Sequence, residues 1–204
     1  MMSIEDIKAY LPKYLSIESE KNLFEQLNNF PSNMDGRLYT TKLRENKIIY
    51  QGDGIEGLLI INLPDQTVKN SSAMIISNTC DIGPDKHSPL PNNIVYSPIF
   101  NYEKYIALVK SVKGDNDDYL RSHEASLKRQ SIASIFYLPK GGRLANDSLV
   151  FFDKVVSCQL KHFDTANVNE SRIFKLSDYG FYLFLFKLSI HFTRIRERVD
   201  RGMN

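Results

Sequence analysis

This 204-residue chain lacks most of the features that mark secreted, membrane or nucleic-acid-binding proteins. Its two cysteines, Cys80 and Cys158, are far apart in sequence and make no disulfide framework, which favours a reducing compartment. The formal net charge of +2 is too small to indicate nucleic-acid binding by itself. The most apolar window, Tyr179 to Ile190, contains Lys187 and is too short to cross a bilayer. Acidic residues early in the chain argue against a signal peptide, so we expect a soluble cytoplasmic protein without a membrane partner.

The chain does contain a pattern of short strands, with helical spacing at three places. Its size and its 42% hydrophobic content suit one domain with a sizeable core. We expect residues 1–36 to form a helical preface and residues 37–204 to form the main, α+β and mainly β, domain. A helical insertion is expected at about 101–134, and Ser177 is expected to cap a long C-terminal helix. The predicted strands are 37–42, 47–50, 55–63, 73–77, 93–99, 132–138, 149–160 and, as a short strand or connector, 172–176.

The most informative stretch is the apolar strand 73–77, which runs directly into the polar sequence Ser77-Asn-Thr-Cys-Asp81. Such a strand end places hydrogen-bonding or reactive groups at the rim of a sheet. Asn78 and Thr79 are therefore candidates for binding a substrate or a partner. Alternatively, side chains of this stretch could tie the strand end to neighbouring backbone amides, and this structural role is the one we favour for Asp81.

Cys80 has three roles open to it: a small buried residue, a side chain that lines a site, or a nucleophile. A thiol becomes nucleophilic when a cation, a histidine or a helix N-terminus lowers its pKa, and the adjacent Asp81 acts in the opposite direction. His87 and His191 are candidate bases. The catalytic candidates are therefore Cys80, Asp81 and Arg194. No zinc-binding spacing is present, and we predict neither a metal nor a cofactor.

Two further groups of residues are candidates for binding a substrate or a partner. Asp53 lies between two glycines, where it could hold a loop by accepting backbone hydrogen bonds, and we favour this structural role. Arg194, Arg198 and Arg201 share one face of the predicted C-terminal helix. Three aligned guanidinium groups could contact RNA phosphates or an acidic partner. The alternative is a solvated last turn, since cations are favourable near a helix C-terminus.

The order of these elements resembles the MazF/PemK toxin fold, a small SH3-like β-barrel closed by a C-terminal helix. The segments that carry the resemblance are Gly52-Asp53, Ala73-Met-Ile-Ile-Ser-Asn78, Asn93-Ile-Val-Tyr-Ser-Pro-Ile99, Asp147-Ser-Leu-Val-Phe-Phe-Asp-Lys-Val-Val-Ser157 and Leu176-Ser177. The motif Ser77-Asn-Thr-Cys-Asp81 is more similar to a bacterial branch of such barrels. The resemblance implies an SH3-like barrel that carries N-terminal helices, a helical insertion and a long C-terminal helix.

MazF-like ribonucleases use an arginine just before the second core strand and a threonine or serine just after the third. These positions fall near Ser72 or Ala73 and near Phe100 in this chain. The resemblance therefore implies a degenerate, non-catalytic member of a bacterial toxin–antitoxin or phage-defence system that binds a partner protein. The alternative is an endoribonuclease or RNA-binding toxin that acts on single-stranded RNA, with Arg194 as a relocated cation. A cysteine-dependent enzyme acting through Cys80 is a third hypothesis. Since MazF-like proteins are generally dimers, the resemblance also implies a homodimer, unless the inserted helices block that interface.

Overall fold

The computed structural model describes residue 18 and the ranges 37–42, 46–62, 64–83, 89–114, 116–165 and 167–193. The predicted helical preface, 1–36, lies outside these residues apart from Glu18, which is helical. His87 and the candidate arginines Arg194, Arg198 and Arg201 also lie outside them.

Seven antiparallel strands form one sheet in the described part of the chain. They are β1 (Gly54–Asn62), β2 (Thr67–Ile75), β3 (Asn93–Asn101), β4 (Ile135–Leu138), β5 (Ser148–Phe151), β6 (Val156–Gln159) and β7 (Arg172–Phe174). The order across the sheet is β4, β5, β3, β2, β1 and β7, and β6 pairs with β3 beside this path. The longest ladder joins β1 to β2, because both strands have nine residues and a short turn at 64–66 connects them.

Five α-helices accompany the sheet within the described ranges. They are α1 (Thr79–Ile82), α2 (Tyr102–Lys113), α3 (Asp117–Lys128), α4 (Val168–Ser171) and α5 (Asp178–Thr193), with a single 3-10 turn at Leu160–His162. The predicted helical insertion is confirmed as α2 and α3, which follow β3 and precede β4. Ser177 precedes α5, as predicted, and its Oγ accepts a hydrogen bond from Gly180 N at 3.1 Å.

Strand β3 is shared between two parts of the sheet. Its first four residues pair with β6, residues 96–98 pair with β2, and its last three residues pair with β5. The prediction of one strand over 149–160 is therefore wrong, since this segment forms the separate strands β5 and β6. The reason is Phe152, which leaves the ladder and is only 1% exposed. Its ring packs against Phe136 and Phe184 in the core.

The strand ladder does not close into a barrel in the described residues, because β4 and β7 remain at opposite ends of the strand order. One backbone hydrogen bond, from Arg143 N to Ile173 O at 2.8 Å, joins the β4–β5 connection to β7. The Gln130 side chain makes hydrogen bonds to the edge of β4 of the kind that a neighbouring strand would make. It accepts from Tyr137 N at 3.0 Å and donates to Tyr137 O at 2.6 Å, so this edge residue has its backbone groups satisfied.

Two apolar clusters form the core, one around α5 with β4 and β5, and one between β1, β2 and the start of β3. The buried Lys187 fixes α5 to the connection between α3 and β4. Its ammonium donates to Gln130 O, Gln130 Oε1, Ile132 O and Ile135 O. Burial lowers the pKa of Lys187 to about 7, although four oxygen acceptors favour the charged form.

The segment before β1 was predicted to contain two strands, and the structure shows a different arrangement. Within 37–42, Tyr39 makes an isolated bridge to Leu176, and Thr40 N donates to Lys175 O at 3.0 Å. Residues 46–50 form no strand. Instead, side chains hold this segment against β7, because its carbonyl groups accept hydrogen bonds from a buried arginine, Arg172.

Candidate functional site

The polar strand end at 77–81 ties neighbouring segments together. Ser77 Oγ accepts from Val95 N at 2.8 Å, and Thr79 Oγ1 accepts from Gln51 N at 3.0 Å. Asn78 caps α1, because its Oδ1 accepts from Cys80 N at 2.9 Å. The prediction that side chains of this motif bind backbone amides is confirmed for Thr79. The Asn78 amide and the Thr79 hydroxyl, which the sequence suggested for binding a substrate or partner, therefore form hydrogen bonds that hold the strand end.

Cys80 is exposed, so the interpretation of this residue as a small buried side chain is wrong. The reason is the short helix α1, which buries Ile82 and turns Cys80 toward solvent. Asp81 is also exposed and lies in the first turn of α1. The candidate base His191 packs its ring against Phe152 in the core around α5, and the described residues show no contact between His191 and Cys80.

Asp53 is the predicted site residue with the most unusual environment. Its side chain is 2% exposed, and Oδ2 accepts from Tyr50 N at 3.1 Å, which confirms the predicted loop-holding role. The same oxygen accepts from Arg172 Nε at 3.1 Å and lies 3.9 Å from Lys175 Nζ. Burial raises the pKa of the Asp53 carboxyl, while Lys175, Arg172 and the Tyr50 amide act against this shift.

Arg172 satisfies its guanidinium entirely with groups of the protein. Besides Asp53, it donates to Asn46 O at 2.9 Å, Asn169 Oδ1 at 2.7 Å and Ile48 O at 2.7 Å. Its side chain is 4% exposed. These bonds join β7, the turn before β1 and the 46–50 segment, so Arg172 acts as a structural clamp.

Lys175 completes this buried cluster and differs from Arg172 in one respect. Its Nζ has no hydrogen-bond partner among the described residues, and it lies 3.9 Å from the ring centroid of Tyr50. Burial lowers the pKa of Lys175 to about 8, and Asp53 opposes that shift. The cluster thus holds two basic side chains against one carboxylate in the protein interior. We call Asp53, Arg172, Lys175 and Tyr50 the buried charge cluster.

The resemblance to MazF-like ribonucleases predicts catalytic residues near Ser72 or Ala73 and near Phe100. Ala73 is fully buried in β2, and Ser72 beside it is half-buried. Phe100, in β3, packs edge-on against Phe151 with ring centroids 5.1 Å apart.

The helical insertion has an exposed aromatic and aliphatic surface. Phe100 and Tyr105 both contact the ring of Phe151, and Tyr105 and Tyr119 both contact His123. Two more α2 side chains follow Tyr105 at helical spacing and are largely exposed, Leu108 at 61% and Val112 at 73%. We call the residues Phe100, Tyr105, Leu108, Val112 and Tyr119 the insertion surface.

Comparison of the chain with models of protein families, and with curated proteins, finds no match. In the part of the chain that the structure describes, no group of three histidine, cysteine or acidic residues could hold a metal ion. No helix in the same part is long and apolar enough to cross a membrane.

Sequence reasoning found Asp53 and missed its two basic partners. Arg172 and Lys175 flank the apolar residues Ile173 and Phe174, and this pattern was the sign in the sequence that the two charges are buried. A charged residue inside an apolar strand is rarely buried unless it is paired. The spacing alone could not show that the partner is Asp53, which is 119 residues away from Arg172.

Proposed function

We propose that this protein is a non-catalytic, MazF-like member of a bacterial toxin–antitoxin or phage-defence system, and that it acts by binding a partner protein. The observation that carries this proposal is the insertion surface, where Leu108 and Val112 lie on solvent although both are aliphatic. Apolar side chains grouped in this way on a helix are typical of an interaction site. The sheet with its shared strand β3 is compatible with an opened SH3-like barrel, to which α2 and α3 are added.

The charges of α2 indicate the chemistry of the partner. The helix carries Lys104, Lys110 and Lys113 against a single acidic residue, Glu103. Lys104 is one helical turn from Leu108, so a cation borders the exposed aliphatic residues. A partner segment that combines apolar side chains with acidic ones would match this surface.

Two features support a binding role over catalysis. The buried charge cluster keeps Arg172 and Lys175 away from solvent, with side chains 4% and 6% exposed. Cys80 is exposed, and the candidate base His191 packs against Phe152 in the core instead of meeting the thiol. A ribonuclease with this fold would therefore need a cation from another part of the chain, such as Arg194.

The test compares two variants of α2 in affinity capture from the native host. Leu108→Glu places a charge on the insertion surface, and Ala107→Glu places the same charge at an exposed position on another face of the helix. We expect one protein to be captured by the wild type and by Ala107→Glu, and lost with Leu108→Glu. The captured protein is then purified and mixed with each variant in size-exclusion chromatography, where only Leu108→Glu should fail to form the complex.

An RNA cleavage assay decides between this proposal and its alternative. We expect the purified protein to leave single-stranded RNA intact, with or without EDTA. Cleavage that disappears in the Arg194→Ala/Arg198→Ala variant would contradict the proposal and establish an endoribonuclease with a relocated cation. A partner that binds Leu108→Glu as well as wild type would refute the assigned surface.

A further inference from the structure

A groove of about 420 Å³ lies where the start of β3 meets the end of β6, and none of its lining residues belongs to the insertion surface. Backbone pairing fixes its walls, because Asn93 is in register with Gln159 and Leu160 N donates to Asn92 O at 2.8 Å. The 3-10 turn and the loop after it complete the lining with Lys161, Phe163 and other residues. The groove is therefore part of the folded sheet.

Three of the seven lining residues are apolar. Phe163 is 8% exposed and belongs to the core cluster between β1, β2 and β3, so its ring is held in place. Leu160 packs against the same cluster, and Pro91 is also part of the lining. A flat ring inserted here would bury apolar surface against side chains that are already fixed.

The polar side chains of the lining are open to solvent. Within the described ranges, the amide side chains of Asn92 and Gln159 are in no hydrogen bond with another residue, and Lys161 is in no ion pair. Thr165 adds a hydroxyl group. An amide offers a donor and an acceptor in one plane, and lysine offers a point charge with three donors.

We infer that this groove binds a nucleoside monophosphate. The edge of a nucleobase presents donors and acceptors in one plane, which the amides of Asn92 and Gln159 match. The apolar side chains hold the faces of the ring, and Lys161 binds the phosphate by a charge-assisted hydrogen bond. The volume of about 420 Å³ is in the range of small-ligand sites.

Isothermal titration calorimetry on the full chain tests the inference with each of the four nucleoside 5′-monophosphates. The same titrations use the corresponding nucleosides, inorganic phosphate, a tetranucleotide of RNA and an acidic peptide. We expect saturable binding of at least one monophosphate, and weaker binding of its nucleoside and of phosphate. Lys161→Met should weaken this binding about ten-fold or more, because it removes a charge-assisted hydrogen bond.

Lys154→Met is the matched control, since Lys154 is also an exposed lysine and lies in the turn between β5 and β6, outside the lining. It should bind the monophosphate as wild type does. Equal weakening by Lys161→Met and Lys154→Met would overturn the inference, as would the absence of saturable binding at millimolar concentration. Binding of only the tetranucleotide or only the peptide would also overturn it. None of these results depends on whether the insertion surface binds a protein.

Discussion

Replacing Asp53 by asparagine tests whether the buried charge cluster holds the fold together. The substitution keeps the size of the side chain and removes the only carboxylate that faces Arg172 and Lys175 in the cluster. Both basic groups then remain in the interior without a counter-charge. The hydrogen bond from Tyr50 N can persist to the amide oxygen, so the change is mainly electrostatic.

The expected magnitude follows from the burial of the three side chains. Removing one partner of a buried ion pair costs about 3–5 kcal/mol, because the remaining charge is desolvated without compensation. The side chains of Asp53 and Arg172 are 2% and 4% exposed, so the full effect applies. For a domain of this size that loss corresponds to a decrease of roughly 6–20 °C in Tm.

Glu56→Gln provides the matched control for this experiment. It removes a carboxylate that pairs with Arg143 at 2.8 Å, but the two side chains are 48% and 47% exposed. Pairs exposed to this degree contribute about 0–1 kcal/mol. Urea unfolding followed by circular dichroism at pH 7 gives the free energy of unfolding for both variants.

A second substitution separates charge from packing. Lys175→Met in the Asp53→Asn background removes one uncompensated cation whose Nζ has no hydrogen bond to lose. The double variant should therefore be more stable than Asp53→Asn alone. The electrostatic argument is refuted if Asp53→Asn costs no more than Glu56→Gln, or if the second substitution brings no recovery.

Two further predictions concern pH and thiol chemistry. Burial lowers the pKa of Lys187 to about 7 and that of Lys175 to about 8, both below the unfolded value of 10.5. As pH rises, the two lysines lose their protons in the native state before they lose them in the unfolded state. Between about pH 7 and 10 the unfolded state therefore binds more protons, and the free energy of unfolding should rise with pH. Urea midpoints at pH 7 and 9.5 measure this rise, and an equal rise in Lys175→Met would contradict the assigned contribution of Lys175. Because Cys80 is exposed and Cys158 is half-buried, a thiol reagent should label Cys80 first in the native protein, and peptide mapping that finds Cys158 labelled first would contradict the exposure of α1.

The local elements of this fold follow closely from the sequence. The Leu- and Ile-rich run before Asn62 forms β1, helical spacing after Asn101 forms α2, and Ser177 caps α5. Each depends on side chains within a few residues of one another. Periodicity and capping therefore indicate them without any knowledge of distant contacts.

Every residue from 149 to 152 is apolar and suits a continuous strand, and the local sign of the break between β5 and β6 is the polar pair Asp153-Lys154 that follows. Phe152 leaves the ladder because its place in the core is defined by Phe136 and by Phe184 of α5. Segment 46–50 is likewise held by Arg172 and not by strand pairing. Tertiary contacts override local propensity at both positions.

The sequence by itself determined which residues of the candidate site are polar and where the strand before them ends. It placed Asp53 in a loop and predicted that side chains of the strand-end motif bind backbone amides. Only the tertiary structure decided that Asp53 is buried between Arg172 and Lys175, and that Cys80 is exposed. The physical reason for the buried cluster is that Asp53 and Arg172 meet across 119 residues of sequence, a contact that no local pattern encodes, whereas Cys80 is exposed because α1 turns its other face, with Ile82, to the core.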